Sequence, residues 1–538
     1  MKNNNDSEPK VGVMTFASNV FMSCSEKHPS LNNSIKTITL SFNEKLEAKT
    51  VSNAVTLYTL NRDGVEVEET ISMQIDPDDK NTLMINNEMV RPFTGGEAYK
   101  IHISSNLKSV NGASLASDYV GYFAINNVFN FTGIPDLNNE RSQIVIISDL
   151  HLGIDNAFAE TVANKQALAS LLTQVNTSPH ISELVITGDL FDGWFLPMEY
   201  VLPDSQADFF DGVAANNQTI VDAFNNIIQE GDIKVTYVPG NHDILLTEAD
   251  VARILPGINQ ARDDNQGLGT YVTGKNSEIA IEHGHRWNIF CTPDPISNRE
   301  ITKNTTSILP PGYFFTRIAA NSLREGQPQN TTNTFPVVTA PDKNDVSQFG
   351  YYVLSRMWQG VMAELPVHES SSDKLIKTNI DGFTEAYAIN DLFPYENGEG
   401  VIDVKLYKNM QDTWDERQDI NGIKVKIPYI DALARAATFD FTDDQAQNQF
   451  FDLDASKRIV VFGHTHVGRV LPRTNPAGEK TIYANSGTWI DRNPGYPTMT
   501  FVVITQAKTD SAIDTVNLYQ YSNEKNITQW CEGQAIIQ

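Results

Sequence analysis

Nowhere in the sequence is there an apolar run of the roughly 18 residues that a membrane-spanning helix needs. The excess of basic residues that would suit a polyanionic partner is missing too: Lys and Arg number 40 against 67 Asp and Glu, a net charge of −27. Such a field repels extended nucleic acid and leaves a well-solvated acidic surface. Cysteine is scarce. Cys24, Cys291 and Cys531 are odd in number and far apart, which excludes a disulfide framework and a thiolate metal site. The mildly apolar stretch from Val11 to Cys24 has Asp6 and Glu8 where a signal segment requires positive charge, and Asn19 interrupts it, so it reads as a first strand and a loop. Hydrophobic content of 40% is ordinary for a globular protein, and 538 residues are too many for one core, so two or three domains are expected.

What the chain does have is a set of five short apolar runs, each ending at residues that bind metals. Ile144 to Ile147 leads into Asp149 and His151, and Leu184 to Ile186 into Asp189 and Asp192. Val235 to Val238 leads into Asn241, His242 and Asp243, Ile279 to Ile281 into His283 and His285, and Ile459 to Phe462 into His464 and His466. Short β-branched runs bounded by Gly and Asp read as buried strands. Open α/β sheets collect their ligands beyond the carboxyl ends of such strands. Six of the ten histidines fall in these motifs, which argues for a site over scattered core residues. Hydrolysis of a phosphate ester needs a nucleophilic water and relief of phosphoryl charge. Two cations about 4 Å apart supply both, held by imidazole and carboxylate ligands.

Residues 10–126 have another rhythm. Ile38, Leu40 and Phe42 alternate with polar neighbours, as do Ile71, Met73 and Ile75, Leu83 and Ile85, and Tyr99, Ile101 and Ile103. Turn signals at Asp63-Gly64, Asp76 to Asp79, Thr94 to Gly96 and Asn111-Gly112 separate them, the pattern of a small antiparallel sandwich. Residues 127–140 read as a linker, and 141–538 as a strand–helix alternation with helices over Phe158 to Leu172 and Ile220 to Ile228. The wide gap between His283 and His464 marks an insertion over about 291–445, with helices expected over Val346 to Leu365 and Ile427 to Ala437. The loop holding Tyr313, Phe314 and Phe315 is expected to face the ions if the insertion is a lid; an oligomer contact is the alternative.

The strand ends, in the order Asp-x-His, Gly-Asp-x-x-Asp, Gly-Asn-His-Asp, His-Gly-His and Gly-His-Thr-His, resemble the calcineurin-like metallophosphoesterases. The resemblance implies a four-layer α/β/β/α sandwich and two divalent metal ions, Mn²⁺ foremost among Mn²⁺, Fe²⁺ and Zn²⁺. It implies that Asp149, His151 and His466 hold one ion, that Asp189 bridges, and that Asn241, His283 and His464 hold the other. His242 is then the general acid or transition-state stabiliser, with Asp243 orienting its ring. A redox-active tyrosinate-bound iron, as in purple acid phosphatases, is not expected, because Asp192 and Asp243 stand where those enzymes have Tyr and Glu. Gly188 to Trp194 resembles locally the branch of UDP-2,3-diacylglucosamine hydrolases, so a small or lipid-linked phosphate substrate is expected, with Asp192, Trp194 and His285 as its contacts.

The expected function is hydrolysis of a phosphate ester or diphosphate bond by metal-activated water. A phosphodiesterase or pyrophosphatase competes with a phosphomonoesterase or nucleotidase, and a non-catalytic surface binding protein is the reading of another class. Residues 38–46, 99–103 and 110–112 resemble the bacterial Ig-like domains of surface-layer and secreted proteins. That implies an extracellular or cell-surface protein, its export signal removed from this chain, touching the cell wall or envelope through this module.

Overall fold

The computed structural model describes residues 16–18, 37–60, 65–86, 97–125, 141–264, 266–304, 306–329, 334–436, 438–506, 513–522, 527–529 and 533–537. The expected linker, most of Val11 to Cys24, and the turns at Asp63-Gly64 and Thr94 to Gly96 lie outside them. No helix among the described residues is long and apolar enough to cross a membrane.

All five motif-bearing runs are strands. Gln143–Ile147, Ile181–Thr187 and Lys234–Val238 lie parallel in one sheet, with Val185 opposite Ile146 and Thr236. Ile279–Glu282, Ile459–Phe462 and Lys480–Asn485 lie parallel in a second. The period-two rule explains how the sheets stack. Ile144, Ile146 and Val185 share one buried cluster with Ile279, Ile281, Ile459 and Val461 of the other sheet. Val145, Ile147, Leu184 and Ile186 point the other way, onto the helices Lys165–Thr177 and Gln218–Glu230. Ala280, Val460, Phe462 and Tyr483 face outward from the second sheet, in one cluster with Phe441 of the helix Phe439–Ala446. The result is the four-layer α/β/β/α sandwich.

The helix expected over Phe158 to Leu172 begins only at Lys165. The carboxylate of Asp491 accepts from the amides of Val162, Ala163 and Asn164 at 2.8–2.9 Å, which holds the preceding segment as a loop. The helices at Gln218–Glu230, Val346–Glu364 and Tyr429–Arg435 form where the periodicity placed them.

The N-terminal residues form the antiparallel Ig-like sandwich, with Ile38, Leu40, Phe42, Leu83, Ile85, Tyr99, Ile101 and Ile103 in its core. Its strands are not a separate pair of sheets. Tyr119–Ile125 pairs antiparallel with Gly533–Ile537, so one sheet runs from the catalytic strands into the module. Lys480 pins the joint, donating to the Tyr122 carbonyl at 2.7 Å and to Gln534 Oε1 at 2.9 Å.

The insertion lies between the adjacent parallel strands Ile279–Glu282 and Ile459–Phe462. The aromatic triplet within it is not a loop facing the ions. Tyr313, Phe314 and Phe315 begin the helix Gly312–Arg324 and are buried. Three adjacent aromatics gain more by joining the core than by standing in water, and they do so here with Trp194, Phe383, Tyr387 and Trp358. Arg317, fully buried one turn on, donates to the carbonyls of Leu196, Pro197, Met198, Tyr200 and Lys377. The insertion thereby clamps the loop that follows Asp192.

Candidate metal centre

Backbone conformation marks the site first. Asp149, His151, Asp189, His464 and His466 all have positive φ, between 42° and 67°. Non-glycine residues adopt that region rarely and at a cost, and such strain collects where side chains must be aimed. The strand ends also pack too tightly for larger neighbours. A Cβ at Gly463 would press on Asp149 Oδ2 and on Ser148, and one at Gly240 on the Asp189 carboxylate. Thr488 Oγ1 and the Trp489 amide hold the Asp149 carbonyl at 3.0 and 3.1 Å, and Asn485 Nδ2 holds that of Gly463 at 2.7 Å. None of the five metal-binding motifs contains this last segment. Its hold on two motif backbones was not legible in the sequence.

The side chains converge. His151 Nε2 faces His466 Nε2 at 3.1 Å, and His466 Nε2 lies 3.2 Å from Asp149 Oδ1. Asp149 Oδ1 is buried without a hydrogen-bond partner. On the other side, Asn241 Oδ1 lies 3.1 Å from His283 Nε2 and 2.8 Å from His464 Nδ1. Asp189 Oδ2 stands between the two sets, 3.5 Å from His151 Nε2 and 3.2 Å from His283 Nε2. Among the described residues three groups have ligand atoms within 4.8 Å of one another: Asp149, His151 and His466; Asp149, Asp189 and His283; and His151, Glu160, Asp192 and His242. Ring nitrogens facing each other beside a buried carboxylate oxygen are donors arranged for a cation, and imidazole, carboxylate and amide oxygen suit Mn²⁺, Fe²⁺ and Zn²⁺. The residues fit the divalent ions.

The surrounding contacts fix which nitrogen each ring presents. The Thr187 carbonyl takes Nδ1–H of His283 at 2.8 Å, leaving Nε2 to the cluster. His151 turns Nδ1 to Asp192 Oδ2 at 3.2 Å and to Glu160 Oε2 at 3.1 Å. Glu160, from the loop expected to be helical, escaped the sequence reading because no motif contains it. Electrostatics couples the whole set. Burial alone would lower His283, but the charges of Asp189 and Asp149 overcome it and push the group up to about 9. Burial and the neighbouring His283 push His464 down to about 3.

Four expected roles need correction. Asp243 does not orient His242. Its carboxylate accepts from the amides of Gly240 at 2.7 Å and Leu190 at 2.8 Å, tying two strand-end loops together. The partner of His242 is Asp192, with Oδ1 2.9 Å from Nδ1. Asp192 is therefore no substrate contact: it is buried and also accepts from the amides of Trp194 and Phe195. Trp194 is buried as well, stacked on the His242 ring at 4.9 Å. His285 is turned inward, with Nε2 3.0 Å from the Gly267 carbonyl.

Two stacked sheets whose strand ends gather His, Asp and Asn into candidate metal clusters define an α/β/β/α domain with a candidate metal centre. Residues 142–314 match the calcineurin-like phosphoesterase family and residues 21–133 the bacterial Ig-like domain. The chain thus carries a calcineurin-like phosphoesterase domain behind a bacterial Ig-like domain. No curated protein matches it. Among solved structures, the N-terminal part of the bacterial S-layer protein SbsC matches at 16% identity over 18% of this chain and 22% of that chain, with a TM-score of 0.15. The alpha-2-macroglobulin of Escherichia coli, spanning domains MG0-NIE-MG1, matches at 13% identity over 31% of this chain and 50% of that one, with a TM-score of 0.16. The chain spans half or less of either protein, and likenesses this slight bear on neither fold nor function.

Proposed function

We propose that the chain is a dinuclear metal-dependent phosphoesterase that hydrolyses a phosphate ester or diphosphate bond. The observation that carries this reading is the pair of imidazole nitrogens 3.1 Å apart beside the buried Asp149 Oδ1, itself 3.2 Å from His466 Nε2. Asp149, His151 and His466 would hold one ion and Asn241, His283 and His464 the other, with Asp189, which stands between the two sets, available to both. Bound there, two divalent cations supply Lewis acidity, acidifying a water and neutralising phosphoryl charge.

The chain's own residues do the rest. Asp192 takes Nδ1–H of His242 and leaves Nε2 to donate a proton to the departing oxygen. Trp194 keeps the ring in plane, and Arg317 keeps the Trp194 loop in place through its carbonyls. Burial lowers the His242 pKa, but the charges of Asp192 and Asp189 and the hydrogen bond to Asp192 together outweigh it and raise the group, which favours the protonated ring. The acidic surface disfavours extended nucleic acid, so the substrate is a small or lipid-linked phosphate compound. The Ig-like match supports placement outside the cell or on its surface, with the module as the contact to the envelope.

The test is a hydrolysis screen on metal-depleted protein resupplied with Mn²⁺, Fe²⁺ or Zn²⁺ in turn, against p-nitrophenyl phosphate, bis-p-nitrophenyl phosphate, nucleotides and nucleotide diphospho-sugars. Metal-dependent release of product is expected, with Mn²⁺ the first ion to try. No turnover with any ion would overturn the reading in favour of a surface binding protein on this fold.

A further inference from the structure

Beside the metal centre lies a cavity of about 440 Å³, within the range of roughly 300–1,000 Å³ that small-molecule sites occupy. Phe158, Phe195, Leu323 and Ile490 form its apolar wall, and Glu160 and Arg492 belong to the polar one. Two side chains join it to the candidate ligands. Glu160 reaches His151 Nδ1 at 3.1 Å, and Asn493, next to Arg492, donates to the His466 carbonyl at 2.9 Å. The insertion supplies Leu323 from the last turn of the helix Gly312–Arg324, so this is where that subdomain borders the site.

The charges around the cavity are unequal in their commitments. Arg324 is held by Glu199 at 2.5 Å and Asn321 at 2.9 Å, and Asp491 is taken up by three amides. Arg492 is exposed and makes no ion pair among the described residues. In a protein of net charge −27, an exposed cation without an ion pair in the lining of this cavity suits an anion that arrives with the substrate.

Building on the phosphoesterase reading, we propose that this cavity is the subsite for the organic group of a diphosphate ester, with Arg492 receiving the phosphate that is not cleaved. The aromatic and aliphatic wall covers an apolar face of that group, and Glu160 accepts from its hydroxyl or amide donors. A monoester has no second anion to offer Arg492 and is the poorer substrate.

The experiment compares kcat/KM for UDP-glucose and for p-nitrophenyl phosphate in the metal-loaded full chain and in Leu323→Trp and Arg492→Glu. Leu323 is 51% exposed, so a larger side chain fills the cavity without entering the core. The ratio of UDP-glucose to p-nitrophenyl phosphate efficiency is expected to fall at least about tenfold in each variant, the scale on which a pocket discriminates. For Arg492→Glu the fall is expected mainly in KM. Unchanged ratios in both variants, or a wild-type protein that cleaves p-nitrophenyl phosphate but not UDP-glucose, would overturn the subsite. Absence of turnover on every substrate with every ion is the distinct result that removes the phosphoesterase reading itself, and the subsite with it.

Discussion

Asp192 holds two histidines at once: Oδ1 lies 2.9 Å from Nδ1 of His242, and Oδ2 lies 3.2 Å from Nδ1 of His151. One buried carboxylate therefore sets both the candidate acid and a candidate metal ligand, and the amides of Trp194 and Phe195 fix it in turn. Asp243, adjacent to His242 in sequence, spends its oxygens on backbone amides instead.

The first prediction separates these two carboxylates. Asp192→Asn should lower kcat by roughly 10²-fold or more, within the range for a disturbed acid or base. It should also move the alkaline limb of the pH–rate profile to lower pH, because the larger of the two carboxylate charges that raise His242 is gone and only that of Asp189 remains. Asp243→Asn places an amide nitrogen against an amide N–H, so its loss should appear in thermal stability and metal content. Steady-state kinetics across pH, with metal analysis of each variant, checks both.

His242→Ala should retain its metals and lose roughly 10²–10⁴-fold in turnover. The loss should be smaller for an ester with a good leaving group, whose departing oxygen needs less protonation. Equal losses across a series of substituted phenyl phosphates would show that the ring binds phosphate and does not donate a proton.

Metal uptake should release protons. In the metal-free fold His283 titrates at about 9, above its ordinary 6.5, because of Asp189 and Asp149. Its contribution to stability is present in full below pH 6.5 and lost as pH rises through 9, since protonation is what the folded state favours. Binding a cation requires the neutral ring, so adding Mn²⁺ or Zn²⁺ at pH 7 should liberate protons. Calorimetry in buffers of different ionisation enthalpy measures their number, and a buffer-independent heat would contradict the expectation.

Arg317→Met should cost on the order of 3 kcal/mol, since several buried carbonyls lose their donor at once. The Trp194 to Tyr200 loop should loosen with it, and turnover should fall although Arg317 does not reach the metal cluster. Urea denaturation and tryptophan fluorescence read the two effects separately.

The sequence by itself determined the motif-bearing strands, the Ig-like core and the seven side chains that gather at the strand ends. Each of these rests on local chemistry: alternation along a strand such as Ile38 to Phe42, and ligands placed a few residues beyond the end of an apolar run such as Ile144 to Ile147. Contacts between segments far apart in sequence were decided only by the tertiary structure. Asp192 reaches His242 across 50 positions and Glu160 enters from a loop, because the direction a side chain leaves a strained turn is not encoded in its spacing. The buried helix made by Tyr313 to Phe315 follows from the apolar surface they found in the folded core, and no local pattern distinguishes that from a lid. The run of one sheet from catalytic strands into the Ig-like module likewise required two distant edges, Tyr119–Ile125 and Gly533–Ile537, to meet, and an edge takes whichever strand the fold brings to it.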